Sequence, residues 1–466
     1  MFDHDYSLPT ESSSSWPPEI MESLGDINRP FWNMGRETMP PEQIRMLQTF
    51  KLRQQIAYLA SHSEFYKERF QSAGFSLSSY HSIEDIRCVP FTTKAELRDS
   101  QETYPPFGLH QAALMEQIVR ITATSGTTGK SVFQGYTAHD TLRRSESLAR
   151  ALWGFGVRPG DRVVNGFALS MFNAGIPLCA AVERLGAVNI PAGAERRVEG
   201  MLILMQQLKA TVWVGTPSFA AALAERCQDV LGIPSQELGL RIICGGGESG
   251  FEQPAFQKRM EEAWGTPYVY DFASTSDAHP NSFAHCRLRD GKHQLTPDLA
   301  LIELIDPDTG NVMEMSDGAQ GEYVFTHLDR QACPLFRYRT GDIIKVRTSE
   351  CACGRTGFRM DIVGRSDDML IVRGVNVFPS AVQSIIGRFA PRVSGVMQIV
   401  LPRPGPAVIP PLQVRVEASD ANAELKAKIE QALRQELTVS ANIEFASVGA
   451  LGRTEKKSRL VVLEKS

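Results

Sequence analysis

The chain has few cysteines for its length, eight in 466 residues. That excludes a disulfide scaffold and makes a reducing cytoplasm the default setting. Long apolar runs are missing as well. Gly166 to Val182 is interrupted by Ser170, Asn173 and Pro177, so it reads as buried core rather than a membrane span. Neither sign of charge dominates: 49 Lys and Arg against 53 Asp and Glu leave a formal net charge of −4. Nothing in that balance calls for nucleic acid or an anionic membrane as partner. Met1 to Tyr6 lacks a basic segment with an apolar run behind it, so no export signal is expected. Internal repeats are not visible. What remains is ordinary globular material, 42% hydrophobic and 22% charged, and too long for one small core. The expectation is a cytoplasmic enzyme of two or more domains.

Ser12 to Ser15 and Pro17-Pro18 read as a polar, poorly structured leader. Leu52, Ile56 and Leu59 then share one helical face, and Pro40-Pro41 ahead of them suit a helix start. From about Ile118 to Phe272, short apolar runs alternate with amphipathic ones. Strands are expected at Arg162 to Asn165, Val188 to Ile190, Val212 to Val214, Ile242 to Cys244 and Tyr268 to Tyr270. Helices are expected around Leu178 to Leu185, Phe219 to Val230 and Phe256 to Trp264. That alternation predicts α/β layers. After His285 strands and turns take over, with strands at Leu301 to Ile305 and Gly321 to Phe325 and a turn at Asp306 to Gly310. A last α+β unit of about a hundred residues starts near Asp367. Its expected order is strand (Leu370 to Val372), helix (Ala381 to Arg388), strand (Val396 to Val400), strand (Leu412 to Val416), helix (Asn422 to Leu437) and strand (Ile443 to Phe445).

The most informative segment is Thr122 to Ser131, with two glycines, six hydroxyls and one lysine in ten residues. Such a loop supplies backbone N–H groups, O–H donors and a charge to a polyphosphate. It is not a P-loop of the strand–loop–helix kind: Thr124 stands where the first glycine belongs, and a strand (Val132 to Thr137) follows. The plain alternative is a polar hairpin turn, although turns seldom carry so many phosphate ligands.

Thr124 to Lys130 resembles the phosphate-binding signature of the adenylate-forming superfamily, most closely its phenylacetate–CoA ligase-like branch. Pro90 to Lys94, Tyr338 to Asp342, Gly364 to Pro379 and Arg453 to Ser458 also resemble that branch, in order, from about Gln48 to the C-terminus. The resemblance implies a large N-terminal α/β domain with layered sheets (1–366), and a small mobile α+β domain (367–466) hinged at Asp367. It further implies two half-reactions, in which a carboxylate and ATP give an acyl-adenylate and a thiol, usually that of CoA, then displaces AMP. In this scheme Ser125, Gly126, Thr127, Thr128, Gly129 and Lys130 hold phosphates, as cationic and N–H groups must when charge spreads over them. Asp342, read as following a strand, suits the paired ribose hydroxyls, since a carboxylate accepts two hydrogen bonds; a turn aspartate is its plain alternative. Arg365 resembles the ribose and phosphate contact. Gly246, Gly247 and Glu248 fall where the family contacts adenine, and glycine there admits close approach of a flat base. Lys457 matches the catalytic lysine, with Lys456 adjacent. Thr275 matches a retained hydroxyl of the segment whose glutamate holds Mg²⁺, but Ser276 stands at the acidic position and Asp277 follows it. A hydroxyl is a poor ligand for a hard dication, so Asp277 is the expected replacement.

Phe167, Leu169, Phe172 and Phe272 fall where that branch lines its acyl pocket, with Leu169 in place of a tyrosine. An aromatic or heteroaromatic acid fits such a slot, although each phenylalanine on its own reads more readily as core. Cys286, His293, Cys351 and Cys353 form two pairs of soft ligands in separated loops. Those pairs suit a closed, structural Zn²⁺ site, and some relatives look similar there; four unrelated surface residues are the alternative. Expected cofactors and partners are ATP, CoA, Mg²⁺, Zn²⁺ and a small carboxylic acid, with no nucleic acid or membrane, and with a homodimer allowed. The reading left open beside CoA is a carrier-protein phosphopantetheine thiol. Nucleotide binding without catalysis also stays open, because the acidic position is vacant.

Overall fold

The computed structural model describes residues 26–124, 131–275, 279, 282–366, 368–373, 375–403, 405–451 and 460–464. The expected leader lies outside them. Helix Pro41–His62 starts with proline at its first turn, where no N–H is needed, and buries Leu52, Ile56 and Leu59. Thr93 and Glu96 exchange side-chain-to-backbone hydrogen bonds, fixing the start of helix Lys94–Thr103 directly behind the Pro90 to Lys94 motif.

Strands β1 (Arg120–Ala123) and β2 (Phe133–Tyr136) form an antiparallel hairpin. A strand therefore does follow the glycine-rich loop. The next five strands are β3 (Arg162–Asn165), β4 (Val188–Ile190), β5 (Val212–Gly215), β6 (Ile242–Gly245) and β7 (Val269–Ala273). They are parallel and stand in the order β4-β3-β5-β6-β7. β5 and β6 are buried along their whole length, because helices cover both faces of such a sheet. Chain direction across the sheet reverses at β3, and ligands favour the crevice beyond the carboxyl ends at such a point.

At β7 the sheet turns antiparallel. β8 (Phe283–His285) and β9 (Lys292–Gln294) form a hairpin beside it, followed in chain order by β10 (Ala300–Ile305), β11 (Val312–Met313), β12 (Gln320–His327), β13 (Tyr338–Arg347) and β14 (Arg359–Arg365). All twelve strands from β3 to β14 make one sheet, with β11, β10, β12, β13 and β14 extending it beyond β9. The texture change expected after His285 is this parallel-to-antiparallel transition.

Beyond residue 370, strands Val393–Leu401, Leu412–Ala418, Ala441–Ala446 and Val461–Leu463 form a separate four-stranded sheet. Helices Pro379–Gly387 and Ala423–Leu437 pack with it around a core drawn from Leu370 to Val461. Two polar contacts reach back to the larger unit: Arg259 Nη1 donates to the Ser394 carbonyl at 2.8 Å, and Ser380 Oγ donates to the Val363 carbonyl at 2.6 Å. No helix among the described residues is long and apolar enough to cross a membrane.

Candidate functional site

Three of the parallel strands deliver their ends to one crevice. β3 leads into Gly166 and Phe167, β6 into Gly246, Gly247 and Glu248, and β7 into Ser274 and Thr275. Close packing there requires glycine: a Cβ on Gly246 would sit 2.0 Å from the Phe272 carbonyl oxygen, and Gly247 adopts φ +87°. A Cβ on Gly247 would stand 4.0 Å from the Phe167 ring, so the glycine turn borders that phenylalanine. Phe167 and Phe272 meet edge to face with centroids 6.2 Å apart. Phe167 is also part of the buried core. Leu169 and Phe172 are half-buried, and the Leu169 N–H donates to the Glu195 carboxylate at 3.1 Å. Glu248 Oε1 accepts the Ser218 N–H at 2.8 Å, at the start of helix Pro217–Leu231. The Glu248 side chain is thus turned to the start of that helix.

Asp342 does not follow a strand; it lies inside β13, and neither the turn nor the post-strand reading of it holds. Gly341 before it has φ +75°, and its N–H donates to Glu322 at 3.0 Å. That kink turns the Asp342 side chain toward β14, where Asp342 and Arg365 are cross-strand partners. Arg365 Nη1 donates to Asp342 Oδ1 at 2.8 Å. Two residues assigned separately to the nucleotide are thus one ion pair. The Pro90 to Lys94 motif is laced to the same strand. The Thr92 N–H donates to the Arg337 carbonyl, and the Arg339 N–H to the Thr92 carbonyl, each at 2.9 Å. At the base of the glycine-rich loop, the Val132 N–H donates to Thr124 Oγ1 at 3.0 Å. Ser125, Gly126, Thr127, Thr128, Gly129, Lys130, Asp277, Asp367 and Lys457 lie outside the described residues.

The cysteine and histidine pairs do meet. Cys286 lies, as expected, in the connection directly after β8, but His293 belongs to β9 rather than to a loop. Cys351 and Cys353 come from the β13–β14 connection. All four ligand atoms lie within 4.8 Å of one another. Cys286 Sγ is 3.8 Å from Cys351 Sγ, and Cys353 Sγ is 3.4 Å from His293 Nε2. Metal–ligand bonds of about 2.0–2.3 Å in a tetrahedron separate neighbouring ligand atoms by about 3.3–3.8 Å, so the spacing fits a cation at the centre. Hydrogen bonds from Cys286 and His293 pull the Cys353 thiol toward thiolate, the form that binds metal. His293 Nδ1 has no hydrogen-bond partner among the described residues, which leaves Nε2 facing the sulfurs. Next to this knot, Arg355 makes two hydrogen bonds to the buried Glu37 carboxylate, at 3.0 and 2.8 Å.

Sequence reasoning missed Asn165, which holds the pocket segment in place. Its Nδ2 donates to the Gly175 carbonyl at 2.7 Å and its Oδ1 accepts the Phe167 N–H at 3.1 Å. The available signal was an amide at the end of an otherwise apolar buried strand.

The family model for the AMP-binding enzyme C-terminal domain matches residues 374–465. Phenylacetate–coenzyme A ligase of Thermus thermophilus is 36% identical over 386 residues, 82% of this chain and 83% of that one. A crystal structure of 2-hydroxyisobutyryl-CoA ligase in the postadenylation state, in complex with 2-HIB-AMP, superimposes with a TM-score of 0.87. Its identity is 30%, covering 95% of this chain and 94% of that one. The same ligase with 2-HIB-AMP and CoA in the thioesterification state, at equal identity and coverage, gives 0.71. The chain belongs to the phenylacetate–coenzyme A ligase family, AMP-forming acid–thiol ligases of the adenylate-forming fold.

Proposed function

We propose that this enzyme activates an aromatic carboxylic acid with ATP and passes the acyl group to CoA. In the first half-reaction a carboxylate oxygen attacks the α-phosphorus and the bond to pyrophosphate breaks. In the second, the thiolate attacks the acyl carbon and AMP leaves with the bonding electrons. The observation that carries this reading is the convergence of the nucleotide motifs. The Asp342–Arg365 pair is braced by Thr92 of the Pro90 to Lys94 motif, while Gly246 and Gly247 border the Phe167–Phe272 pair. Asp342 then binds the ribose hydroxyls, Arg365 orients that carboxylate and meets the phosphate, and Gly246 and Gly247 lie against the base. Ser125 to Lys130 take the phosphates. Asp277, following the retained hydroxyl of Thr275 in the sequence, would hold Mg²⁺, which when bound would draw off phosphate charge. Lys457 supplies a cation between the attacking carboxylate and the α-phosphate.

We also read residues 1–366 and 367–466 as the two working units, joined at Asp367. The closer match to the postadenylation arrangement of the relative than to its thioesterification arrangement supports a rotation between half-reactions. A Zn²⁺ ion held by Cys286, His293, Cys351 and Cys353 is assigned a structural role, because four protein ligands leave no open position. Eight free cysteines suit the reducing cytoplasm in which we place the enzyme.

Pyrophosphate release from ATP with a panel of aryl acids tests the first step, and mass detection of acyl-CoA against acylated carrier protein tests the second. ATP binding with no release for any acid would refute the assignment. Thioester found on a carrier protein and not on CoA would replace the acceptor.

A further inference from the structure

Two arginines in the interior of the larger unit have less than their share of partners. Arg144, on helix Ala138–Phe155, is 1% exposed, and Arg330 is 3% exposed. Arg144 Nη1 donates to Tyr136 Oη at 3.1 Å and also to Asn173 Oδ1. Its Nε and Nη2 have no hydrogen-bond partner among the described residues. Arg330 lies with its guanidinium 3.8 Å over the Tyr136 ring and donates Nη2 to the Gly135 carbonyl at 2.5 Å. Its Nε and Nη1 have no hydrogen-bond partner among the described residues.

The charges near these groups do not balance. Asp140 stands 3.8 Å from Arg330 Nη1, but its oxygens already accept the N–H groups of Thr137, Gln331 and Ala332. Arg144 has no carboxylate partner among the described residues. His327 donates Nε2 to the His279 carbonyl and accepts the Leu335 N–H at Nδ1, which fixes a neutral ring. Burial first, then the nearby arginines, hold His279 and His327 well below the usual histidine range. Among the described residues, Asp140 is the one carboxylate beside these two guanidinium groups, and Arg120 adds a further positive charge near Arg144.

The hairpin beside these arginines has its polarity inverted. Thr122, Thr124, Gln134 and Tyr136 face inward and are buried, while Ile121 and Phe133 face outward at 41% and 37% exposure. Both amide atoms of Gln134 lack a partner among the described residues. A strand pair ordinarily hides its apolar face, and buried polar groups are ordinarily bonded. An interior this polar and this underbonded is built around something else.

These arginines adjoin the segment proposed above to line the acyl slot. Asn173 belongs to the Gly166 to Gly175 segment that carries Phe167, Leu169 and Phe172. The Ala123 N–H donates to the Met171 carbonyl at 2.9 Å, and Ser274 Oγ, two residues from Phe272, is 3.2 Å from His279 Nδ1. The unpaired atoms of Arg144, Nε and Nη2, form the side-on fork that grips a carboxylate through two parallel hydrogen bonds.

We propose that Arg144, backed by Arg330, is an anion site at the inner end of the acyl slot, so that the preferred acid carries a second carboxylate remote from the one that becomes the adenylate. This rests on the acid-activating reading above.

The test compares phenylacetate with its ortho-, meta- and para-carboxylated analogues, using the full-length enzyme. At least one isomer should exceed phenylacetate in kcat/KM for pyrophosphate release by about tenfold or more, as expected for a bidentate charge-assisted contact. Arg144→Met should abolish that advantage through KM, and Arg144→Lys should restore part of it. Phenylacetate turned over as well as every dicarboxylic isomer by the unmodified enzyme would overturn the proposal. Calorimetric binding of the same acids in the presence of a non-hydrolysable ATP analogue separates the two readings. A diacid that binds more tightly supports the anion site even if no acid is adenylated, and equal binding overturns it even if all are. A melting temperature raised by free acetate through Arg144, with no discrimination among acids, would likewise overturn it in favour of a solvent anion.

Discussion

Replacing Cys353 by alanine removes one ligand from the proposed zinc knot and takes from His293 Nε2 its sulfur partner. Cys286 and His293 are both 1% exposed, and a buried polar group stripped of its partner costs about 1–3 kcal/mol. The connection that carries Cys353 also carries Arg355, whose pair with Glu37 is buried on both sides. Breaking such a pair costs about 3–5 kcal/mol, and loosening of the connection would forfeit part of that. We expect a loss of about 5 kcal/mol in all, these terms being only partly additive. An unfolding entropy of about 2.1 cal/mol/K per residue gives about 0.8 kcal/mol/K for a unit of about 370 residues, so the melting temperature should fall by about 6 °C. Metal analysis of enzyme purified without chelator should find about one zinc per chain, and none in the variant. Replacing Cys88, which is exposed and remote from the knot, should change neither reading. The ranking of acid substrates should survive in the variant, because the metal is assigned to architecture. Enzyme free of zinc as purified, or a Cys353→Ala protein that melts within a degree of the parent, would refute this reasoning.

Other perturbations address the reaction. Asp342→Ala should raise KM for ATP by about a hundredfold, the equivalent of losing two hydrogen bonds to a carboxylate, and Arg365→Ala in the same background should add little; fully additive effects in that double-mutant cycle would deny the pair a joint role. If Asp277 replaces the absent acid, Asp277→Ala should weaken Mg²⁺ dependence while Ser276→Ala should not, and the reverse pattern would move the metal ligand to Ser276. Lys457→Ala should slow adenylation by about a hundredfold or more, yet spare thioester formation from supplied acyl-adenylate; normal adenylation by that variant, or its loss in Lys456→Ala, would shift the role to the neighbouring lysine.

The parallel half of the sheet was legible because strands covered on both faces read as short continuous apolar runs, as at Val212 to Val214 and Ile242 to Cys244. The small C-terminal unit was legible for a related reason, its apolar runs and amphipathic helices being cleanly separated. Asp342 was misplaced because Tyr338 to Asp342 carries turn residues, and a glycine-borne kink inside a ten-residue strand has no linear signature. The zinc ligands could be grouped by residue type, but their convergence depends on the β9–β14 pairing that brings His293 opposite Arg359. Arg144 gave no signal at all. An arginine in a polar helix reads as a solvated face, and only the burial of Ala138–Phe155 beneath an inverted hairpin makes it unusual.

The lacing of Thr92 to Arg337 and Arg339 joins chain segments about 245 residues apart. During synthesis at about 5–20 residues per second, Thr92 waits roughly 10–50 s for those partners to be made. Throughout that interval Pro90 to Lys94 has no strand to register against, and β13 cannot supply the pairing that sets Asp342 against Arg365. A fragment that stops short of β13 can hold the early helices and the parallel strands, but not the corner proposed to bind the nucleotide. That corner is thus among the last parts of the larger unit to take shape, and a prematurely terminated chain is expected to be inert toward ATP rather than partly active.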